Sequence, residues 1–181
     1  MGQPKEGVRM PDGRTMIEHV IEPLSHLCQN IVIVGDCSGF SIPFQNNLIP
    51  LKDDAPGRGP LFAIATLLKS GVDQDGYIVT ACDQPFLTPA LLRCLIGDLP
   101  RGPRFFQHDQ DEMFTPFPGY YPVCWLSIIK HELLSGEYGL CNMIMKNPFE
   151  TVSLPKEGQD LMRNINTPTD LETFTNSAGL P

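Results

Sequence analysis

The chain has 181 residues, 41% hydrophobic and 19% charged, a globular composition with enough apolar side chains for a sizeable core. Its net charge of −8 argues against nucleic acid as a sequence-independent partner, since phosphate neutralisation needs clustered Lys and Arg, but leaves open a nucleotide whose charge a metal offsets. No apolar run approaches the ~20 residues of a membrane span. Six dispersed cysteines with no CxxC pair, no His/Cys metal spacing and no secretory signal ahead of them predict reduced thiols in a cytoplasmic protein.

The opening "MGQPK" (1–5) packs a glycine, a proline and a lysine together, as a working loop does. "TMIEHVIEPLSHLC" (15–28) carries Met16, Ile17, Val20, Ile21, Leu24 and Leu27 at helical spacing, with Pro23 as a potential kink. "NIVIVG" (30–35) is a β-branched run stopped by glycine, the pattern of a buried parallel strand. "NLIPLKDD" (47–54) predicts a short strand or extended edge, and "GPLFAIATLLKSG" (59–71) a helix with Pro60 in its first turn and Gly71 past its end. "YIVTACD" (77–83) reads as a second buried strand and "TPALLRCLIGDL" (88–99) as the helix after it. This alternation predicts a single α/β domain over 1–181 with a largely parallel sheet.

The second half is less regular. "RFFQH" (104–108) predicts a strand, "HDQDEMFTPFPGYYP" (108–122) a long loop, and "VCWLSIIKHELLSG" (123–136) and "LCNMIMKN" (140–147) helices. "FETVSLP" (149–155) alternates as a strand, and "RNINTPTDLETF" (163–174) starts a last helix at Thr167-Pro168.

Three segments carry chemistry. In "TACDQPFLTP" (80–89) a hydrophobic strand runs into Asp83, and the carboxyl ends of parallel strands face the ligand crevice. An Asp there suits Mg²⁺, a hard cation that takes one or two carboxylates plus phosphate oxygens; equally, it caps the turn or the next helix. In "KDDAPGRGPL" (52–61), Gly57 and Gly59 flank Arg58 at a helix entry, where backbone approaches an anion closely or simply turns. The Gly-Lys-Ser/Thr ending of a P-loop is absent. Asp53 and Asp54 before it hold a base or ribose, or are solvated. In "NINTPTDL" (164–171), Asn164 and Asn166 hydrogen-bond a ligand or shape the turn, the turn reading being the stronger because Thr-Pro explains the helix start by itself. His19 and His26 have no paired acid at useful spacing, and "HDQDEM" (108–113) reads as a solvent-facing loop despite its metal-like residue types.

Taken in order, these pieces resemble the molybdenum-cofactor guanylyltransferases, nucleotidyltransferases that attach GMP to molybdopterin. "MGQPK" is similar to the end of their loop Leu-Ala-Gly-Gly-x-Ser-x-Arg-Met-Gly-x-x-Lys, "GRTMIEHV" (13–20) to the next helix and "GRGPLFAI" (57–64) to Gly-Pro-Leu-Ala-Gly-Ile. "ACDQPFL" (81–87) resembles the strand-end Asp motif and "NINTPTDL" the Asn-x-Asn-Thr-Pro signature. The resemblance implies a three-layer Rossmann-like nucleotidyltransferase fold with a mostly parallel mixed sheet. It implies GTP and molybdopterin as substrates, Mg²⁺ as cofactor, and molybdoenzymes or their chaperones as partners.

By the same resemblance Asp83 would coordinate Mg²⁺, Lys5 would contact phosphate and Asp53 the guanosine. Gly59 would belong to the nucleotide-binding loop, and Asn164 and Asn166 would lie toward the pterin. Ala63 stands where the family has its second glycine of Gly-Pro-Leu-Ala-Gly. The family's first strand and the start of its loop have no counterpart here; in that fold the strand lies between those corresponding to 30–35 and 77–83. Orphaned buried backbone groups cost ~1–3 kcal/mol each, so the expectation is a longer natural protein, or an inactive or marginally folded chain. Cytidylyl transfer, nucleotidyl transfer to a sugar phosphate, and a catalytically impaired binding protein are the alternatives.

Overall fold

The computed structural model describes residues 7–36, 47–97, 100, 102–108, 113–154, 156–167 and 170. Helix α1 (Met16–Ser25) starts where Thr15 accepts from the Glu18 backbone N–H and the Glu18 carboxylate accepts from the Thr15 backbone N–H, a reciprocal cap that satisfies two helix-end donors. Strands β1 (Ile31–Val34) and β2 (Leu48–Leu51) pair in parallel, Ile31 opposite Leu48 and Val34 opposite Leu51. Helix α2 (Pro60–Lys69), strand β3 (Gly76–Val79) and helix α3 (Pro89–Ile96) follow. Strand β4 (Arg104–His108), strand β5 (Phe114–Pro122), a 3-10 turn at Val123–Trp125, helices α4 (Leu126–Leu134) and α5 (Leu140–Met145), strand β6 (Glu150–Leu154) and helix α6 (Lys156–Leu161) complete the described chain.

The strands lie in two groups: β1-β2, and a second sheet in the order β3-β5-β4-β6. In the latter, β5 runs antiparallel to both β3 and β4, while β4 and β6 are parallel, so the architecture is α/β with mixed sheets. Period-two alternation sends neighbouring residues to opposite faces. Phe106 and Tyr120 join Val20 and Leu24 of α1 and Leu92 and Leu95 of α3 in one core. Their neighbours Phe105 and Tyr121 join Leu61 and Ile64 of α2, Trp125, Ile129 of α4 and Met143 of α5 in the other. Helices therefore cover both faces, in three layers.

The loop expected over 108–122 is corrected from Phe114 onward, where the chain forms β5. Its prolines concealed it, because proline cannot donate to a ladder. The register explains how they are tolerated: Phe105 pairs with Gly119 but Phe106 with Thr115, so Pro116 and Pro118 sit in an irregularity where no ladder donor is needed. Gly119 is required there, since a Cβ would lie 2.7 Å from the Phe105 ring. Residues 109–112 of the same segment, Lys5, and the expected last helix beyond Asp170 lie outside the described residues.

Candidate active site

β3 ends at Val79, and Thr80 to Phe86 turn away before Thr88 caps α3 by accepting from the Leu91 N–H at 3.2 Å. Asp83 sits in that turn, half-buried, with its Oδ1 shut off from solvent. Its backbone carbonyl accepts the Ile165 N–H at 2.8 Å. Ile165 is a core residue, 1% exposed, whereas Asn164 and Asn166 on either side are exposed. One buried isoleucine and one hydrogen bond thus bring the Asn-Ile-Asn segment against the Asp83 turn. The two segments are distant in sequence and adjacent in space.

A residue that the sequence did not single out organises this meeting. Gln84 is 2% exposed, and its Nε2 donates to the carbonyls of Phe117 at 2.9 Å and Met162 at 3.3 Å, while its Oε1 accepts from the Ala81 N–H at 3.4 Å. A buried amide must find such partners, and here they tie together the Asp83 turn, β5 and the segment leading to Asn164. In the sequence it stood only as the polar neighbour of Asp83, between an apolar strand and Pro85.

The second predicted segment follows β2. Asp53 Oδ1 accepts from the Ala55 N–H at 3.0 Å and from Thr66 Oγ1 of α2 at 3.3 Å, so this carboxylate shapes the turn into the helix. Asp54 is exposed and pairs with Lys69 at 2.6 Å. Gly59 is the residue before α2, at φ 97°, and no side chain caps the helix there. That positive φ suits glycine, and it leaves the helix entry as bare backbone. Arg58 packs over the rings of Phe62 at 4.2 Å and Tyr138 at 5.1 Å, a cation–π clamp from the loop onto α2 and the α4–α5 connection.

A cavity of about 610 Å³ adjoins both segments: Pro60, next to Gly59, and Cys82, next to Asp83, line it together with Val34, Ala63, Val79 and Phe117. Volumes of ~300–1000 Å³ are those of ligand sites. Among the described residues no three His, Cys, Asp or Glu side chains gather to hold a metal. The strand expected to run to Asp83 stops at Val79, and a single hard carboxylate in the turn after it nevertheless fits Mg²⁺, which binds through one or two carboxylates and completes its shell with phosphate and water.

His19 departs from expectation. Its Nε2 lies 3.1 Å from Asp12, and Arg14 bridges Asp12 at 2.9 Å and Glu22 at 2.6 Å. The acid comes from the turn before α1, outside any helical spacing. The His19 and Arg14 contacts hold the Asp12 carboxyl well below the usual carboxylate range. This cluster pins the start of α1.

Comparison with known proteins follows the same lines. Residues 1–151 match the family model described as the MobA-like NTP transferase domain. The chain is 29% identical over 180 residues to the molybdenum cofactor guanylyltransferase of Desulfosudis oleivorans, covering 94% of this chain and 86% of that protein. It is 25% identical over 179 residues to the probable molybdenum cofactor guanylyltransferase of Rhodopirellula baltica, covering 94% and 83% respectively. Among solved structures, the fold is similar to molybdopterin-guanine dinucleotide biosynthesis protein A of Archaeoglobus fulgidus (TM-score 0.74, 22% identity, 98% of this chain and 92% of that one). It is also similar to 2-C-methyl-D-erythritol 4-phosphate cytidylyltransferase of Thermus thermophilus (TM-score 0.71, 14% identity, 98% and 95%).

Proposed function

The chain belongs to the MobA-like NTP transferase domain family, and from that premise we propose that it transfers GMP from GTP to the molybdopterin cofactor. An oxygen of the acceptor's terminal phosphate bonds to the α-phosphorus of GTP, the bond from that phosphorus to the β-phosphate oxygen breaks, and pyrophosphate leaves. Such a reaction asks the protein chiefly for positioning and charge neutralisation.

The observation that carries the reading is the 2.8 Å hydrogen bond from Ile165 N–H to the Asp83 carbonyl. It sets the turn that carries Asp83 against the segment that carries two exposed asparagines, an arrangement suited to a two-substrate site. Asp83 would hold Mg²⁺, which when bound neutralises phosphate charge. The bare backbone at Gly59 approaches the nucleotide, and Asp53, whose Oδ1 serves the turn, offers Oδ2 to the guanosine. Asn164 and Asn166 face the pterin substrate, and Lys5 contacts phosphate as a point charge. The names of the relatives from Desulfosudis oleivorans and Rhodopirellula baltica support guanylyl over cytidylyl transfer.

Calorimetry with GTP, CTP and ATP in the presence of Mg²⁺ tests the proposal. GTP is expected to bind tightest, and Asp83→Asn to lower turnover by roughly 100-fold or more, since a metal supplies several kcal/mol to the transition state. A preference for CTP would replace guanylyl by cytidylyl transfer. Absence of any Mg²⁺-dependent nucleotide binding would leave a binding protein of the same fold.

A further inference from the structure

Two adjacent carboxylates, Asp53 and Asp54, stand ahead of the Gly57–Gly59 loop, and α2 holds them differently. Asp54 is exposed and meets Lys69, whose own side chain is 59% exposed, so solvent screens the pair. Asp53 is half-buried. Its Oδ1 takes two donors, the Ala55 N–H at 3.0 Å and the Thr66 hydroxyl at 3.3 Å. The same hydroxyl oxygen accepts the Asp54 N–H at 3.2 Å. Thr66 thus grips both the peptide that joins the two aspartates and the side chain of one of them.

Thr66 is 5% exposed and, with Gln84, one of two buried polar side chains among the described residues. It interrupts the apolar run of α2 three residues after Ala63, which lines the cavity, and residues at that spacing share a helix face. A threonine inside a helix can instead satisfy itself on the carbonyl four residues back, and the Phe62 carbonyl lies 3.1 Å away. In an α-helix that carbonyl takes the backbone N–H of Thr66, whereas the Asp53 carboxylate is charged and the stronger acceptor. The hydroxyl proton therefore belongs to Asp53, and an oxygen lone pair to the Asp54 N–H.

We infer that Thr66 is a positioning residue of the nucleotide site. Its hydroxyl holds Asp53 Oδ1 against α2, leaves Oδ2 as the acceptor for guanosine, and so selects Asp53 over Asp54. The role at guanosine rests on the transferase reading; the orientation of Asp53 does not. A carboxylate free to rotate gives up that freedom when a ligand binds, and Thr66 removes the cost in advance.

Nuclear magnetic resonance on the nucleotide-free chain reads the orientation through the Hα–Hβ couplings of Asp53. Wild type is expected to show one χ1 rotamer. Thr66→Val, which keeps the shape but lacks the hydroxyl, should show couplings averaged over staggered states, and so should Thr66→Ala, a second hydroxyl-free chain that adds no bulk. In calorimetry with GTP and Mg²⁺, Thr66→Val should weaken binding by about three- to tenfold, the ordering of one side chain. Thr66→Ser keeps the hydroxyl and should bind as wild type does. In an Asp53→Ala background the Thr66→Val change should be silent, within about twofold, because the group it acts through is gone. A side chain that merely packed α2 would weaken binding equally in both backgrounds and would gain nothing from serine. Asp53 couplings unchanged in both hydroxyl-free variants, or equal losses in the two backgrounds, would overturn the proposal. Averaged couplings in those variants, beside a wild type that binds no GTP, would uphold the orientation and sink the transferase reading instead.

Discussion

β5 and β1 are both strands covered by helices, yet their last residues live in different surroundings. The final five residues of β5 are all buried, with β3 on one side and β4 on the other. In β1 only Ile31 is fully buried, and among the described residues only β2 pairs with it. Burial in these two strands thus follows their neighbours more than their own composition. IVIV in β1 has higher β propensity than FTPFPGYYP in β5, but the latter is the better buried. Phe105 shows the consequence in side-chain terms, with Phe114, Tyr121, Trp125 and Phe149 all within ring-contact distance.

The sharpest way to break this contrast is Phe105→Ala, expected to cost ~3–5 kcal/mol because the surrounding rings cannot collapse into the space. Urea denaturation measures it, and a loss near that of Ile31→Ala would erase the distinction. Ile31→Ala, at the half-open strand, is expected to cost ~2 kcal/mol, the low end for such truncations, since the neighbouring cavity lets the site relax. Gln84→Leu should cost ~1–3 kcal/mol by stranding the partners of a buried amide. It should also weaken nucleotide turnover more than nucleotide affinity if Gln84 positions the Asp83 turn, a split that steady-state kinetics reads directly.

The smallest effect belongs to the cap of α1. Thr15→Ala is expected to cost ~1 kcal/mol, and its pH dependence has a definite sign. The Thr15 backbone and hydroxyl donors hold the Glu18 carboxyl below its ordinary value. A group whose folded pKa is depressed stabilises the fold above its unfolded pKa, here ~4.3, and loses that contribution as pH falls through the folded value. The difference between wild type and Thr15→Ala should therefore be constant from pH 6 to 8 and shrink below about pH 4. A difference that grew on acidification would mean that Glu18 is not the partner.

Much of this was legible in the residues. A β-branched run closed by glycine announced β1, and Pro60 with Gly71 bracketed α2, because these signals are local. β5 was hidden because its prolines are legitimate only in the register irregularity against β4, which is a property of the pairing and invisible along one chain. α6 was hidden in KEGQDL, whose glycine and charges give no apolar period. In the site, Asp83 and the two asparagines were marked by motif. Their adjacency was not, because it depends on Ile165 and Gln84, whose roles appear only when distant segments meet. His19 looked unpaired for the same reason, its acid lying seven residues back in a turn.

The chain has one tryptophan, Trp125, and it is 4% exposed within the core that holds Phe105 and Tyr121. Its emission consequently reports chiefly on the four-stranded half, and reaches β1 only through α2, which packs on both. Circular dichroism averages over both halves. Melting curves from the two spectroscopies should separate, with ellipticity lost first, if the small sheet frays as an independent unit; superposed curves would mean that the two halves unfold as one.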